Sequence, residues 1–382
     1  MWWLLRRRRL RIPCSSLLPR RAFINARVKW VRDRGHDLAV SKEKHLRSFH
    51  ALKNMLFSHR HNALPLSLIA EKRDELNLPF RALRFIRNHP SAFTETSNAV
   101  IRPTQQLRLI HNEELQAYSD CRQDSAQRLA RLLMLTRRRR LPLTLIDRIA
   151  FDLGIPFDYV TTLLSYYPDY FDIVSGCNAT GAGDLHLELV RWNEDLATSA
   201  LERDAMSRFR VYRKGLPLEF PIQLPRGFDL EKRVREWMDS FQNLPYVSPY
   251  EDGTVLEWNN QVSEKWVVGV LHELLHLLVS KKTEKENLIR IGEHVGLPEG
   301  FKKAFSRYPG IFYISNKIRT QTVVLRECFK RDRLLVKNSV MAMRYRYISL
   351  MHKPAADQIA KNEVDEEEEE DNEIDRLKNE GF

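Results

Sequence analysis

The sequence predicts a mainly α protein with short β-hairpins, organised as three dispersed helix-turn-helix-hairpin units of winged-helix-like outline. Two observations carry this prediction. Three stretches repeat one order of residue types: "ELNLPFRALRFIRNHPSAFTET" (75–96), "DLGIPFDYVTTLLSYYPDYFDIV" (152–174) and "HVGLPEGFKKAFSRYPGIFYIS" (294–315). Within each, apolar residues recur at helical spacing and then give way to a β-prone run.

In chain order, the first element is not a folded one. Residues 1–32 hold ten basic residues and no acid, interleaved with Leu, Trp and Ser. That is how a mitochondrial targeting presequence reads, here over residues 1–25 with a processing site near Phe23 in "RRAF". A chloroplast transit peptide and a basic nucleic-acid-binding arm are the alternatives.

The units are expected near 64–110, 141–190 and 281–328. The first two open alike, with "LPLSLI" at 64 and "LPLTLI" at 141. A first helix should close at Asn77, Gly154 and Gly296, residues that tolerate the left-handed backbone. Pro79, Pro156 and Pro298 suit the first turn of a second helix, which Pro90, Pro168 and Pro309 stop. Phe93, Phe171 and Phe312 should then start short strands, each paired after a turn with "AVIRPT", "DLHLELV" or "TQTVVL". The copies are unevenly spaced, 77 and 142 residues apart between their prolines, so this is not a tight solenoid. Residues 355–382 carry twelve acids and three bases and are expected to be a disordered acidic tail.

Charge narrows the function. The whole chain is +12; with +10 at the N-terminal end and −9 at the tail, the body between keeps +11. A basic surplus of that size suggests a polyanionic partner: RNA, DNA or acidic lipid. The four cysteines, Cys14, Cys121, Cys177 and Cys328, form no CxxC pair, so a disulfide framework and a zinc ribbon are excluded. No apolar run approaches the roughly 20 residues that cross a bilayer, so no membrane insertion is expected. There is no Walker loop, dinucleotide fingerprint or G-x-S-x-G elbow, and no small-molecule substrate or cofactor is implied.

One motif points elsewhere. "HELLH" at 272–276 has the spacing by which zinc peptidases hold their metal, with Glu273 as general base. On a helical wheel His272, Glu273 and His276 share a narrow polar stripe with Lys265, Gly269 and Ser280. The extension that would supply a third histidine is missing. Glu293 is the best downstream carboxylate, but its counterparts in the repeats are Asp74 and Phe151, which reads as a helix flank. Lys265, two turns earlier on the stripe, would oppose a bound dication. The sequence reading is therefore no metal site and no catalytic residue, with a zinc metallopeptidase of His272, Glu273 and His276 as the alternative.

RNA binding needs cations for phosphate and flat faces for unpaired bases. The candidate residues are Lys42 and Lys44 near the mature start, and the run Arg137, Arg138, Arg139 and Arg140. "RFRVYRKG" adds Arg208, Arg210, Tyr212, Arg213 and Lys214. "SRYPGIFYISNKIR" adds Lys317 and Arg319, with Tyr308 and Tyr313 as stacking faces. "MRYRY" adds Arg344 and Arg346, flanking Tyr345 and Tyr347. Such units also fit DNA, and charge alone does not choose.

The stretches "ARVKWVRDRGHDLAVSKEKHLRSFHALKNML", "LPLSLIAEKRDELNLPFRALRFIRNHPSAF", "FQNLPYVSPYED", "WVVGVLHELL" and "RYPGIFYISNKIRTQTVVLRE" together resemble the plant organelle RNA recognition (PORR) domain family. The likeness runs in order over about residues 26–350 and includes the HELL portion of the motif. The resemblance implies a plant organellar protein that binds intron RNA and promotes group II intron splicing, in company with other splicing factors, and it is not a peptidase family. With the Arg-rich leader, it implies a mitochondrial rather than a chloroplast member. A third reading is an organellar scaffold whose basic face meets acidic proteins.

Overall fold

The computed structural model describes residues 31–176, 184–208, 213–224, 232–253, 256 and 260–353. The expected presequence, the acidic tail, Cys14, Cys177, Arg210 and Tyr212 lie outside the described residues. Helix α1 (Arg34–Ser41) is capped by Asp33, whose carboxylate accepts from the amides of Gly35 and His36.

Three units of like order follow. The first is α2 (Leu46–Ser58), β1 (Leu64–Pro65), α3 (Leu66–Glu71), α4 (Ala82–Arg87), β2 (Phe93–Glu95) and β3 (Val100–Pro103). A connecting helix, α5 (Gln105–Asp120), starts at a Thr104 cap whose hydroxyl accepts from the Leu107 amide. The second unit is α6 (Arg122–Leu135), β4 (Arg140–Pro142), α7 (Leu143–Leu153), α8 (Tyr159–Thr162) with a 3-10 turn at Leu164–Tyr166, β5 (Phe171–Gly176) and β6 (Asp184–Leu189). Helices α9 (Ala200–Arg208) and α10 (Lys232–Gln242) lie between the second and third units.

The third unit is α11 (Gln261–Leu277), β7 (Lys282–Glu284), α12 (Lys285–Val295), a 3-10 turn at Phe301–Lys303 running into α13 (Ala304–Arg307), then β8 (Phe312–Ser315) and β9 (Thr322–Leu325). A small hairpin, β10 (Phe329–Lys330) with β11 (Arg333–Leu334), and a long helix, α14 (Ser339–His352), complete the fold.

Each unit closes one three-stranded antiparallel sheet in the same order: β1-β3-β2, β4-β6-β5 and β7-β9-β8. The registers agree as well. The last residue of the first strand, Pro65, Pro142 or Glu284, pairs with Val100, His186 or Thr322. Three residues on, the partner strand meets Phe93, Phe171 or Phe312. These are the phenylalanines that the sequence places at the strand starts, and all three are buried.

Gly154 and Gly296 cap α7 and α12 with positive φ values of 68° and 84°, as expected, whereas Asn77, also at positive φ (49°), lies six residues beyond α3, which ends at Glu71 and is capped by Lys72. Gly154 is also sterically confined, since a Cβ there would fall 2.6 Å from a methyl of Val279. The prolines differ from expectation. Pro79, Pro156 and Pro298 stand three residues ahead of the second helix in every unit, outside its first turn, and so shape the connecting turn.

Each unit also begins earlier than the repeat boundaries suggested, with α2, α6 or α11. These leading helices end alike, at the extended residues His59, Thr136 and Leu278. The apolar interior falls into two bodies of packing: one joins α1 with the second and third units, the other joins the first unit to α14. Asp152 ties all three units. Its carboxylate accepts from Arg47 at 2.6 Å and from the hydroxyl of Thr283, and its carbonyl accepts from the Val279 amide at 2.9 Å.

Candidate nucleic-acid interface

The run Arg137–Arg140 falls in the tight connection between α6 and β4. Arg139 is held there in a left-handed conformation, φ 55°, while its carbonyl accepts the Leu189 amide from β6 at 2.9 Å. That anchoring aims the side chain across the end of the sheet. Its guanidinium carbon lies 4.9 Å from the ring centre of Trp192, which is half-buried just beyond β6.

Arg139 and Trp192 line a cavity of about 380 Å³ together with Glu194, Ala197, Lys214, Tyr250 and Glu251. Lys214 reaches to 3.8 Å from Glu251. Burial pushes the Glu251 carboxyl up, partly countered by the Lys214 charge. Two cations, two carboxylates and a half-buried indole thus line one recess, with Arg139 lying over the indole ring. Two of the candidate cations, 75 residues apart, meet here. Trp192 and Glu251 were not singled out by sequence reasoning; the signal available was an indole directly after a β-prone run.

The other candidates divide by what they touch. Arg137 and Arg138 are exposed beside Arg139, and the Arg137 amide donates to the His294 carbonyl at 3.2 Å, linking the second and third units. Arg140 is half-buried and its backbone belongs to β4. Lys317 and Arg319 are exposed on the loop between β8 and β9, with no ion-pair partner among the described residues. Lys44 and Arg213 are likewise exposed. Lys42 is engaged by Asp332 at 2.5 Å, Arg208 by Asp204 at 3.0 Å, and Arg346 by Glu113 at 3.0 Å.

Arg344 requires a correction. It is 1% exposed, its guanidinium packs over the Phe151 ring and donates to the Phe151 carbonyl, and it has no surface to offer RNA. Tyr347, Tyr308 and Tyr313 are buried too, so these rings serve the interior and not base stacking. Helix α14 packs beside α5, so Arg344 and Tyr347, three residues apart on one helical face, point inward while Tyr345 stays exposed.

Sequence reasoning also missed the cations of α4. Arg81, Arg84 and Arg87 follow one another at three-residue spacing and all are exposed, while Ala82, Phe85 and Ile86 face inward. In the third unit Lys302 and Lys303 occupy the corresponding stretch, whereas the second unit exposes Phe157, Val160 and Tyr166 there.

The HELLH residues lie on α11, the leading helix of the third unit. The Nε2 atoms of His272 and His276 stand 2.8 and 2.5 Å from one oxygen of Glu327, which follows β9. Burial pulls the His276 imidazole down to about 4, and the neighbouring His272 adds to that. The histidines hold the Glu327 carboxyl down to about 2 against the opposing effect of burial. The third group is therefore Glu327. Glu293, the carboxylate favoured from sequence, is exposed on α12 and is not part of the cluster.

Glu273 faces another set of partners. One of its oxygens accepts from Tyr250 Oη at 2.8 Å and the other from the Ala200 amide at 2.6 Å. Neither oxygen is turned to the histidines, so the arrangement gives a peptidase no general base. Lys265, expected to oppose a cation, donates to the carbonyls of Gln242 and Leu244 at 2.7 and 2.8 Å. Its burial there pulls the ammonium down to about 8.

The chain is similar to known proteins over most of its length. A family model described as the plant organelle RNA recognition domain matches residues 31–355. "Protein WHAT'S THIS FACTOR 9, mitochondrial" of Arabidopsis thaliana is 30% identical over 354 residues, covering 88% of each chain. "Protein WHAT'S THIS FACTOR 1, chloroplastic" of Zea mays is 27% identical over 344 residues, 86% of this chain and 68% of its own. "Protein ROOT PRIMORDIUM DEFECTIVE 1" of Arabidopsis thaliana is 29% identical over 343 residues, 84% and 82% respectively. No solved structure matches the chain. Among the described residues, no helix is long and apolar enough to cross a membrane.

Proposed function

The chain belongs to the plant organelle RNA recognition family, and from that premise we propose that it is a mitochondrial RNA-binding factor that promotes splicing of group II introns without chemistry of its own. The family supports an organellar, RNA-associated role; the intron is the finer inference. Localisation follows the mitochondrial relative, which shares more of its length and identity with this chain than the chloroplast relative does. Residues 1–25 would direct import, residues 26–350 would bind RNA, and residues 355–382 would remain a solvated acidic tail.

The observation that carries the mechanism is the recess where Arg139, Trp192 and Lys214 meet. In this reading the three units are winged-helix-like modules. Their exposed cations, Lys44, Arg137, Arg138, Arg213, Lys317 and Arg319 among the candidates, neutralise phosphates. The indole face captures an unpaired base, and binding favours the intron conformation that splices, together with other splicing factors. Stacking contributes about 1–3 kcal/mol per base, and each phosphate contact releases counterions.

The test is crosslinking of the tagged full-length protein in isolated mitochondria, followed by sequencing of the RNA recovered. Enrichment of intron sequence is the expected result. Recovery of protein partners with no RNA would overturn the reading in favour of a scaffold.

A further inference from the structure

We propose that His272, His276 and Glu327 form a structural zinc site that ties the leading helix of the third unit to the end of its hairpin. The inference does not depend on RNA binding.

Helical spacing of four puts both imidazoles on one stripe of α11, and the register of β9 delivers Glu327 opposite them. The donor atoms all lie within 4.8 Å of one another. The side chains are 2%, 19% and 13% exposed for His272, His276 and Glu327, so the site is nearly closed. Both histidines converge on a single carboxylate oxygen, while the other oxygen, Glu327 Oε2, is buried and has no hydrogen-bond partner among the described residues. A buried carboxylate oxygen left without a partner is costly, and a cation drawn between the three groups would engage both of its oxygens.

The repeats supply an independent comparison. Counting back from the common helix end, the positions of His272 and His276 are Lys53 and Phe57 in the first unit and Ala130 and Met134 in the second. The strand register places Gln105 and Arg191 where the third unit has Glu327. The fold of a unit therefore has no need of two histidines and a carboxylate at these places, and all three occur together in one unit.

Two imidazole nitrogens and the two oxygens of one carboxylate give four protein donors, which suit a closed zinc site with ligand bonds of about 2.0–2.2 Å. Donors around such an ion stand about 3.3 Å apart, so the groups need open by less than about 1 Å. Lys265, at roughly 10 Å along the helix, is engaged by carbonyls and does not oppose the charge. Glu273 is committed to Tyr250 and Ala200, which leaves the ion without a base and makes its role structural: it closes a loop of 51 residues between His276 and Glu327.

The test uses untagged full-length protein purified without chelators. One zinc per chain by elemental analysis is expected. After removal of metal, Co2+ alone should give visible ligand-field bands that one equivalent of Zn2+ abolishes, and Zn2+ should raise the melting temperature. Glu327→Gln and His276→Gln should each lose the cobalt spectrum while keeping the wild-type circular dichroism. A wild-type protein with no zinc and no saturable cobalt spectrum would overturn the proposal, as would full zinc occupancy in folded Glu327→Gln. Should a variant fail to fold, the wild-type cobalt titration decides alone.

Discussion

The guanidinium carbon of Arg344 lies 3.8 Å from the ring centre of Phe151, in the interior between α14 and the end of α7. A charge so placed is held by its partner carbonyl and the ring, and removing it leaves a hole and an unpaired acceptor. Arg344→Ala should cost about 3 kcal/mol in a urea melt, while Arg346→Ala, two residues away on a solvated ion pair, should cost well under 1. Equal effects of the two variants would show that α14 is not seated as described.

Arg139→Ala should weaken binding of single-stranded RNA and lower the salt slope by about one phosphate contact. Trp192→Ala should cost a further 1–3 kcal/mol, roughly, with the salt slope unchanged, because stacking releases no counterions. Titrations at several salt concentrations separate the two. Identical slopes for Arg139→Ala and wild type would remove this arginine from the interface.

Gly154→Ala places a methyl group against Val279 at a residue with φ 68°. Left-handed backbone costs an L-residue about 1–2 kcal/mol before the clash is added. The expected result is a loss of at least about 2 kcal/mol in thermal or urea unfolding, and a neutral effect would contradict the packing of the second unit on the third.

Glu114 on α5 accepts from Lys53 on α2 and from Tyr347 Oη on α14, the latter at 2.8 Å. Burial alone would raise its carboxyl, but His111, Lys53 and His50 around it hold it well below the usual carboxylate range. A folded pKa below the unfolded one gives stability that is complete above the unfolded value of about 4.5 and is lost as pH falls below it. Melting temperature should therefore drop between about pH 5 and pH 3, and Glu114→Gln should flatten that drop while costing about 3 kcal/mol at pH 7 by stranding Lys53. An unchanged acid profile in Glu114→Gln would show that this pair does not carry the effect.

The hairpins and the helix ends were legible because they depend on local chemistry. Gly154 and Gly296 cap their helices where the backbone turns left-handed, while α3 ends six residues before Asn77; Phe93, Phe171 and Phe312 fill equivalent core positions at the strand starts. The leading helices were not legible as members of the repeat, because they share a packing role and little sequence: Lys53 sits where the other units have Ala130 and His272.

Arg344 was misread because an alternating Arg-Tyr run looks cationic wherever it lies, and only the docking of α14 shows which side is covered. Glu327 was invisible for a related reason: it lies 51 residues beyond His276, and hairpin register, a long-range property, brings it back. The recess at Arg139 likewise depends on strand pairing and on the segment carrying Lys214 and Tyr250, which the sequence places far away.

The most direct test of the central claim is a filter-binding titration of the full-length protein with unpaired RNA from about 50 to 200 mM salt. The logarithm of the affinity should fall linearly with the logarithm of salt, by about 0.7 for each phosphate contacted, so that several contacts remove orders of magnitude. An affinity that stays flat across that range would contradict recognition of RNA by this basic surface.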